Sequence, residues 1–377
     1  QSGLSASPMS GKERLMTSNA KVKCLCACLG LMLSASFLGG CASLSWQSVG
    51  GDLPVLDQES MRSDTPQAVD QELQKRFAKK EAAAQAMFSH DGDGRLVLHH
   101  KYGTTVLPDQ PRRVVVIGLE DPMVALGAPM VAAHDRPDSY LHQALSAQGV
   151  DNIYINDSTN TINLEQVQAE KPDLIILRDS YDRNAYVALS KIAPVAAFDL
   201  QDAETALLAM AITLGQPERG AERLRQYYDV VKQARLAIKS RIGNSSVALV
   251  RVVKKEIRLY PYPGNAINKF MYDLLNLYPP PLAVAMGSSK NMALSLEAIP
   301  DFQCDYILVS CGYGMSSGEN NNAAQRRYES LQADPLWQHV PAVREGHVKE
   351  VDSVVWNSHG IIAKEAVIKE LRDWLAP

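Results

Sequence analysis

Chemistry can be read first at Cys41. Leu38-Gly39-Gly40-Cys41 resembles a lipobox, the motif in which a thiol is acylated and the chain is cut just before it. Lys21 and Lys23 precede an apolar run of 15 residues, 24–38 (CLCACLGLMLSASFL). That run is shorter than the roughly 20 residues a spanning helix needs, and it matches the apolar part of a secretion signal. Residues 1–40 are therefore expected to be a signal peptide, starting at Met16 or Met9, with 16–40 as its native part and 1–15 upstream. Cys41 is expected to carry lipid at the cell membrane and to hold the rest of the chain outside the cytoplasm, in a periplasm or at the outer cell surface. Cys24, Cys26 and Cys28 leave with the signal, so only Cys304 and Cys311 remain. They flank a strand-like run (DYILVS), and the seven-residue step from one to the other spans about 23 Å. That is beyond disulfide reach, and both are read as free thiols, buried or half-buried.

The patterns of catalysis are weak. The string GMSSG at 314–318 spells G-x-S-x-G but falls in a polar, loop-like stretch and is not read as a catalytic serine; with no P-loop and no dinucleotide fingerprint, no enzymatic activity and no cofactor are expected. The eight histidines are scattered, and His99-His100 fall in an early hairpin, so no metal site is expected. DGDG at 91–94 lacks the later ligands of a calcium loop and reads as a turn. The polar stretch 313–330 (YGMSSGENNNAAQRRYES) reads as a mobile loop or helix cap, with Asn320-Asn321-Asn322 as a turn. Without residues 1–40, which hold four basic and one acidic residue, the chain has 34 basic and 41 acidic residues. A net charge of −7 with no basic stripe argues against nucleic acid as a partner.

The elements that would position a site come next. The length suits two lobes better than one. Residues 42–65 are polar and aperiodic, a tether reaching roughly 25–30 Å. Residues 67–87 favour helix, with an apolar face thin enough to suggest loose docking. Tether and helix together fill 41–94. A first lobe, 95–216, contains RRVVVIG (112–118), a continuous β-branched run typical of a buried parallel strand. PMVAA, NIYIN, DLIIL and VAAFD follow, alternating with helices, the pattern of an α/β lobe. Residues 217–242 read as one long helix of roughly 36 Å. Pro217 suits its first turn, Glu218 and Glu222 its positive end, Lys239 and Arg241 its negative end, and Gly243 stops it. A second α/β lobe, 243–377, carries SVALVRV, EIRLY, DYILVS and VKEVD and closes on the helix 361–375.

The two lobes share a repeat. NLEQVQAEKPDLIIL (163–177) matches SLEAIPDFQCDYILV (295–309) at fixed offset. Leu164 and Leu296 correspond, as do Glu165 and Glu297, Val167 and Ile299, Asp173 and Asp305, Ile175 and Ile307. Each copy reads as a short helix with an early glutamate, a turn with Asp, and a buried strand.

Lipobox, tether, lobe, single long helix and lobe together resemble the class III solute-binding lipoproteins of ABC importers, in their ferric-siderophore branch. The resemblance covers about 95–375. It rests on PRRVVVIGLEDPMVALGAPMVA (111–132), the two repeat copies, YVALSKIAPVAAFD (186–199), VALVRV and PLWQHVPAVREGHVKEVDSVVWNSHG (335–360). It implies two three-layer α/β lobes with mainly parallel central sheets, joined by one helix that permits only a small closure. The ligand is expected between the lobes, at the carboxyl ends of the strands. The loops there hold Leu119-Glu120-Asp121, His134-Asp135-Arg136 with Tyr140, Arg178, Arg251, Tyr260-Pro261-Tyr262, Tyr313 and Trp356-Asn357. Arginine suits the oxygens of an anionic iron chelate, and aromatic faces add contact area at little entropic cost. Arg178, Arg251, Tyr260, Tyr262, Trp356, Tyr313, Arg136 and Tyr140 are therefore the expected ligand contacts, with iron arriving inside its chelator. Glu165 and Glu297 are expected to dock on the two halves of a permease driven by a cytoplasmic ATPase, and the protein to be a monomer.

Two other readings stand beside this one. A haem or cobalamin carrier of the same importer class could use His134, His359, Tyr140 or Tyr313 as an axial ligand. A lipoprotein that binds a peptide or protein without transport is the second.

Overall fold

In the computed structural model the described residues are 63–263, 266–287, 292–314 and 318–377, the side chain of Met292 excepted. The signal segment, Cys41 and nearly all of the tether lie outside them. Among the described residues no helix is long and apolar enough to cross a membrane.

The chain enters through a helix, Pro66–Gln85, capped by the Thr65 side chain on the Ala68 amide at 3.3 Å. A small antiparallel sheet follows, of β1 (Phe88–His90), β2 (Leu96–His100) and β3 (Gly103–Val106). The first lobe is built on β4 (Val114–Ile117), β5 (Ala132–Ala133), β6 (Asp151–Asn152), a side hairpin of β7 (Ile155–Asn156) and β8 (Thr161–Ile162), then β9 (Leu174–Arg178) and β10 (Val195–Phe198). Its sheet runs β10-β9-β4-β5-β6, and every pairing is parallel. Val114–Ile117 and Leu174–Leu177 are buried throughout, because helices cover both faces of such a sheet.

The second lobe holds β11 (Val247–Val252), β12 (Ile257–Leu259), β13 (Met292–Ala293), β14 (Tyr306–Cys311) and β15 (Val348–Val351), in the order β13-β12-β11-β14-β15. Here the sheet is mixed. β14 is parallel to β11 and β15, while β12 runs antiparallel to both β11 and β13. The turn after Val252 causes this: Ile257 begins the next strand, and so short a connection cannot make a parallel crossover.

One helix, Pro217–Ile242, joins the lobes. Leu224, Tyr227, Tyr228, Val231, Ala234 and Ile238 form its buried stripe at helical spacing. The C-terminal helix, Ile361–Leu375, packs back along it. Arg223 of the linker holds Glu365 of that helix with two bonds of 2.8 and 2.7 Å, and its Nε donates to the Ala125 carbonyl of the first lobe at 3.2 Å. One apolar cluster therefore runs from Val114 and Met123 through the linker to Val247, Leu308 and Leu371.

Two expectations are corrected. The N-terminal helix is firmly docked: Val69, Leu73 and Ala84 are buried, and ion pairs cover what its thin apolar stripe leaves. The side chain of Arg235, 0% exposed, lies between Asp64 (2.7 Å) and Glu72 (3.0 Å), and Lys232 holds Asp70. The polar stretch after Gly314 is helical over Gly318–Gln332, because Ala324, Tyr328 and Leu331 recur at helical spacing on its buried side. Asn321 lies inside that helix and serves as a clamp. Its Oδ1 accepts from the Tyr313 amide at 2.9 Å and its Nδ2 donates to the Gly314 carbonyl at 2.9 Å. Cys304 and Cys311 are free thiols, buried and half-buried, each pushed up to about 12 by burial.

Candidate functional site

A cavity of about 720 Å³ opens between the lobes beside the linker. That volume lies within the range of small-molecule sites. The first lobe supplies Asp199 and the stretch Gln201–Glu204, the linker Tyr227, and the second lobe Arg251, Tyr260, Lys269, Phe270, His359 and Lys364. Arg76 and Lys80 reach it from the N-terminal helix.

Arg251 sits near the carboxyl end of β11, where its Nε donates to the Gly312 carbonyl at 2.9 Å and its guanidinium lies 5.4 Å from the centre of the Tyr313 ring. The Asn321 clamp holds that loop, so the arginine head is positioned from beneath. It has no carboxylate partner among the described residues. Tyr260 also lines the cavity; Asn268, buried, donates to the Tyr260 and Pro261 carbonyls at 2.8 and 2.7 Å and fixes the loop.

Arg178 ends β9. Gly118 lies beside it at φ +77°, and a Cβ there would come within 2.8 Å of the Arg178 Cβ, so only glycine fits. Arg178 has no ion pair among the described residues. Its charge is felt at His359, whose pKa is lowered to about 4 by burial first, then by Lys364 and Arg178. His359 is thus a neutral imidazole facing the cavity.

Lys364 is the cation that sequence reasoning missed. It is buried, its Nζ lies 4.6 Å from the centre of the Phe270 ring, and it has no ion pair among the described residues. Burial lowers its pKa to about 8, against the attraction of Asp121. The signal was present in the spacing. Ile361, Lys364, Ile368, Leu371 and Leu375 form one helical stripe, and a lysine on an apolar stripe is either buried at a cost or placed for a ligand.

Four expected contacts belong elsewhere. Trp356 is 1% exposed in the core, with its indole N–H on Glu370 at 2.8 Å. Trp356 closes a short helix, Ser353–Trp356, and its large ring gains contact area by burial while its N–H keeps a partner. Asn357 follows it, with both amide atoms buried and without a hydrogen-bond partner among the described residues. Arg136 is engaged by Asp138 at 3.1 Å and by Asp157, so its charge is met locally. Tyr262 turns its hydroxyl to Asp273 at 3.1 Å and its ring edge-on to Tyr272. Tyr140 donates to Asp121 at 2.8 Å. Asp121 also accepts from the Ile362 and Ala363 amides, both at 3.0 Å, at the start of the C-terminal helix. Burial lifts its pKa above the ordinary value, against the pull of those three donors. Gly360 makes this approach possible, since a Cβ there would lie 2.0 Å from the Asp121 Cγ. Of the other loop residues, Glu120 accepts from the Gly118 and His134 amides, and the His134 ring bonds the Ile153 carbonyl. Among the described residues no group of three or more His, Cys, Asp or Glu side chains is arranged to hold a metal ion.

Glu165 and Glu297 are both exposed, each in the first turn of a short helix. Leu164 and Leu296 stand beside them, 36% and 47% exposed. Each lobe therefore presents an acid next to an apolar side chain.

Known proteins share this architecture. The chain is 25% identical over 296 residues to the putative ABC transporter substrate-binding lipoprotein YhfQ of Bacillus subtilis, covering 74% of this chain and 88% of that one. It is 27% identical over 260 residues to the iron(3+)-hydroxamate-binding protein FhuD of the same organism, covering 67% and 77%. Staphylococcus aureus SirA, solved with staphyloferrin B, superposes with a TM-score of 0.63 at 22% identity, covering 74% of this chain and 98% of that one, and shows the fold. The model of the periplasmic binding protein family matches residues 112–355, and the chain belongs to that family.

Proposed function

We propose that this protein is the extracytoplasmic substrate-binding lipoprotein of an ABC importer, and that it captures a ferric siderophore and delivers it to the membrane permease. The observation that carries the reading is the cleft: Arg251, Lys364 and neutral His359 line a cavity between two sheet-based lobes, with Arg178 close by and none of the three cations ion-paired among the described residues. Unpaired cations in a cleft suit an anion whose own oxygens are committed to iron. Relatives named for ferric hydroxamate and ferric citrate support the same class of cargo. The protein would do no chemistry on it, act as a monomer without a resident cofactor, and release the chelate unchanged to a permease powered by a cytoplasmic ATPase.

Cys41 would anchor it, and Glu165 with Leu164 and Glu297 with Leu296 would meet the two halves of the permease. Fluorescence titration with a panel of ferric siderophores, each beside its iron-free form, tests the reading. Saturable binding of an iron complex, at least tenfold tighter than its iron-free form, is expected. Equal affinity for both forms, or no binding across the panel, overturns it. Metabolic labelling with a fatty acid tests the anchor, since Cys41→Ser should abolish incorporation.

A further inference from the structure

The N-terminal helix, Pro66–Gln85, lies outside the family-matched residues 112–355, yet it lines the cleft. Its two cations there meet two of the three acids that the first lobe contributes, the third being Asp199. Arg76 donates to Glu204 through Nε at 2.7 Å and Nη2 at 2.8 Å, and Lys80 donates to Asp202 at 2.7 Å. Glu204 is only 8% exposed and also accepts from the Tyr228 hydroxyl at 2.6 Å. Burial works against the charge of Asp202, yet Lys80 and Thr205 hold its pKa below the ordinary value. Without the helix, two carboxylates would face the same cavity as Arg251 and Lys364 and would meet their field. The same helix is bound at its other end to linker and second lobe. Arg235 joins Asp64 and Glu72 and donates to the Leu274 carbonyl, and Asn276 donates to Asp64 at 3.0 Å. The pairs are thus held by a fixed brace, not by a fraying end.

We propose that this helix is a working part of the ligand site. By neutralising Glu204 and Asp202 it leaves Arg251 and Lys364 in excess and makes the cleft select a ferric chelate with ionised carboxylates over an uncharged one. The inference rests on the reading of the protein as a ferric-chelate carrier and adds to it the charge class of the ligand and a structural origin for that choice. Two acids left unmatched, Glu204 buried and Asp202 half-buried, would repel such an anion directly, the more strongly where the surroundings are less polar than water.

The test uses the whole mature protein with two probes, ferric citrate and an uncharged ferric trihydroxamate, each titrated by fluorescence quenching. Wild type is expected to prefer ferric citrate. Arg76→Gln with Lys80→Gln should lose at least tenfold more affinity for ferric citrate than for the trihydroxamate. Adding Glu204→Gln and Asp202→Asn to that variant should restore the preference, because the two acids uncovered by the first pair of changes are then gone and Asp199 stands as it does in the wild type. Should the first variant fail to fold, Glu204→Gln with Asp202→Asn alone carries the test, since freeing Arg76 and Lys80 should raise the preference for ferric citrate at least threefold. An equal change for both probes overturns the proposal. So does a wild type that prefers the trihydroxamate, which leaves the carrier reading standing; a wild type that binds no ferric chelate at all removes that reading too.

Discussion

The two lobes share one frame, alike at the outer ends of their strands and different at the inner ends. Asp173 accepts from the Arg112 and Arg113 amides at 2.8 and 2.9 Å, tying the start of β9 to the start of β4. Asp305 accepts from the Ser246 amide and hydroxyl at 2.7 and 2.9 Å, tying β14 to β11 in the same way. Val167 and Ile299 are buried alike, and Leu164-Glu165 and Leu296-Glu297 are exposed alike. At the other end of the strands the lobes differ. In the first, β4 runs out at Gly118 and the neighbouring strand ends in Arg178. In the second, the central strand carries Arg251 and its registered neighbour is Ser310. Each strand pair seats one arginine beside one small residue, but the roles of the strands are reversed. A two-fold partner at the outer surface needs equivalent acids; a single small ligand in the cleft needs no such symmetry. The likeness of the lobes is thus kept at the outer end, where the proposed docking calls for symmetry, and is absent at the inner end, where the proposed ligand does not.

The largest effect should come from the outer faces. Glu165→Lys combined with Glu297→Lys is expected to abolish iron-chelate uptake by cells while leaving affinity in solution intact; uptake at the wild-type rate would remove the docking role. The inner faces should be unequal. Arg251→Ala is expected to weaken ligand binding by about 1.5–3 kcal/mol, the scale of a charged hydrogen bond. Arg178→Ala should cost less, because Arg178 stands beside His359 and not on the cavity wall. Equal losses by titration would contradict the reversed roles.

Stability separates the two small residues. Gly118→Ala forces a Cβ into a left-handed residue against Arg178 and should lower stability by about 1–3 kcal/mol. Ser310→Ala removes a buried hydroxyl that has no hydrogen-bond partner among the described residues, and should change stability by less than about 1 kcal/mol. Thermal melts of the two variants compare them directly. The smallest effect is on pH. The Lys364 ammonium, flanked by Asp121, His359 and the Phe270 ring, gives up its proton near 8, and the protonated form is the one that attracts an anion. Affinity for an anionic chelate should be full below that pH and fall a few-fold as pH rises through it. Lys364→Met should flatten this dependence; an unchanged slope would exclude the lysine from the site.

Much of this was legible because it depends on runs of residues. VVVI and LIIL are apolar without alternation, so their burial between layers is written in the chain, and the linker is marked at both ends by Pro217 and Gly243. What the sequence hides is direction. It places Trp356 and Tyr140 near strand ends but not the side to which each ring turns, and the core and Asp121 claimed them. It shows Arg76 and Lys80 on a helix with little apolar surface, but not that Glu204 and Asp202, more than a hundred residues later, lie within reach. The mixed pairing of β12 was readable in principle, because four residues after Val252 leave no room for a crossover.

The bond between Asp121 and the first turn of the last helix has a further consequence for how the molecule is made. Ile361, Val367, Ile368 and Leu371 complete a core begun by Met123 and Leu207. The half synthesised first therefore cannot close its own interior. Until the fifteen residues of that helix are made, the apolar side chains it covers lack their partner. A chain cut after the linker would lack those side chains, so the first lobe depends for its core on a helix from the far side of the linker.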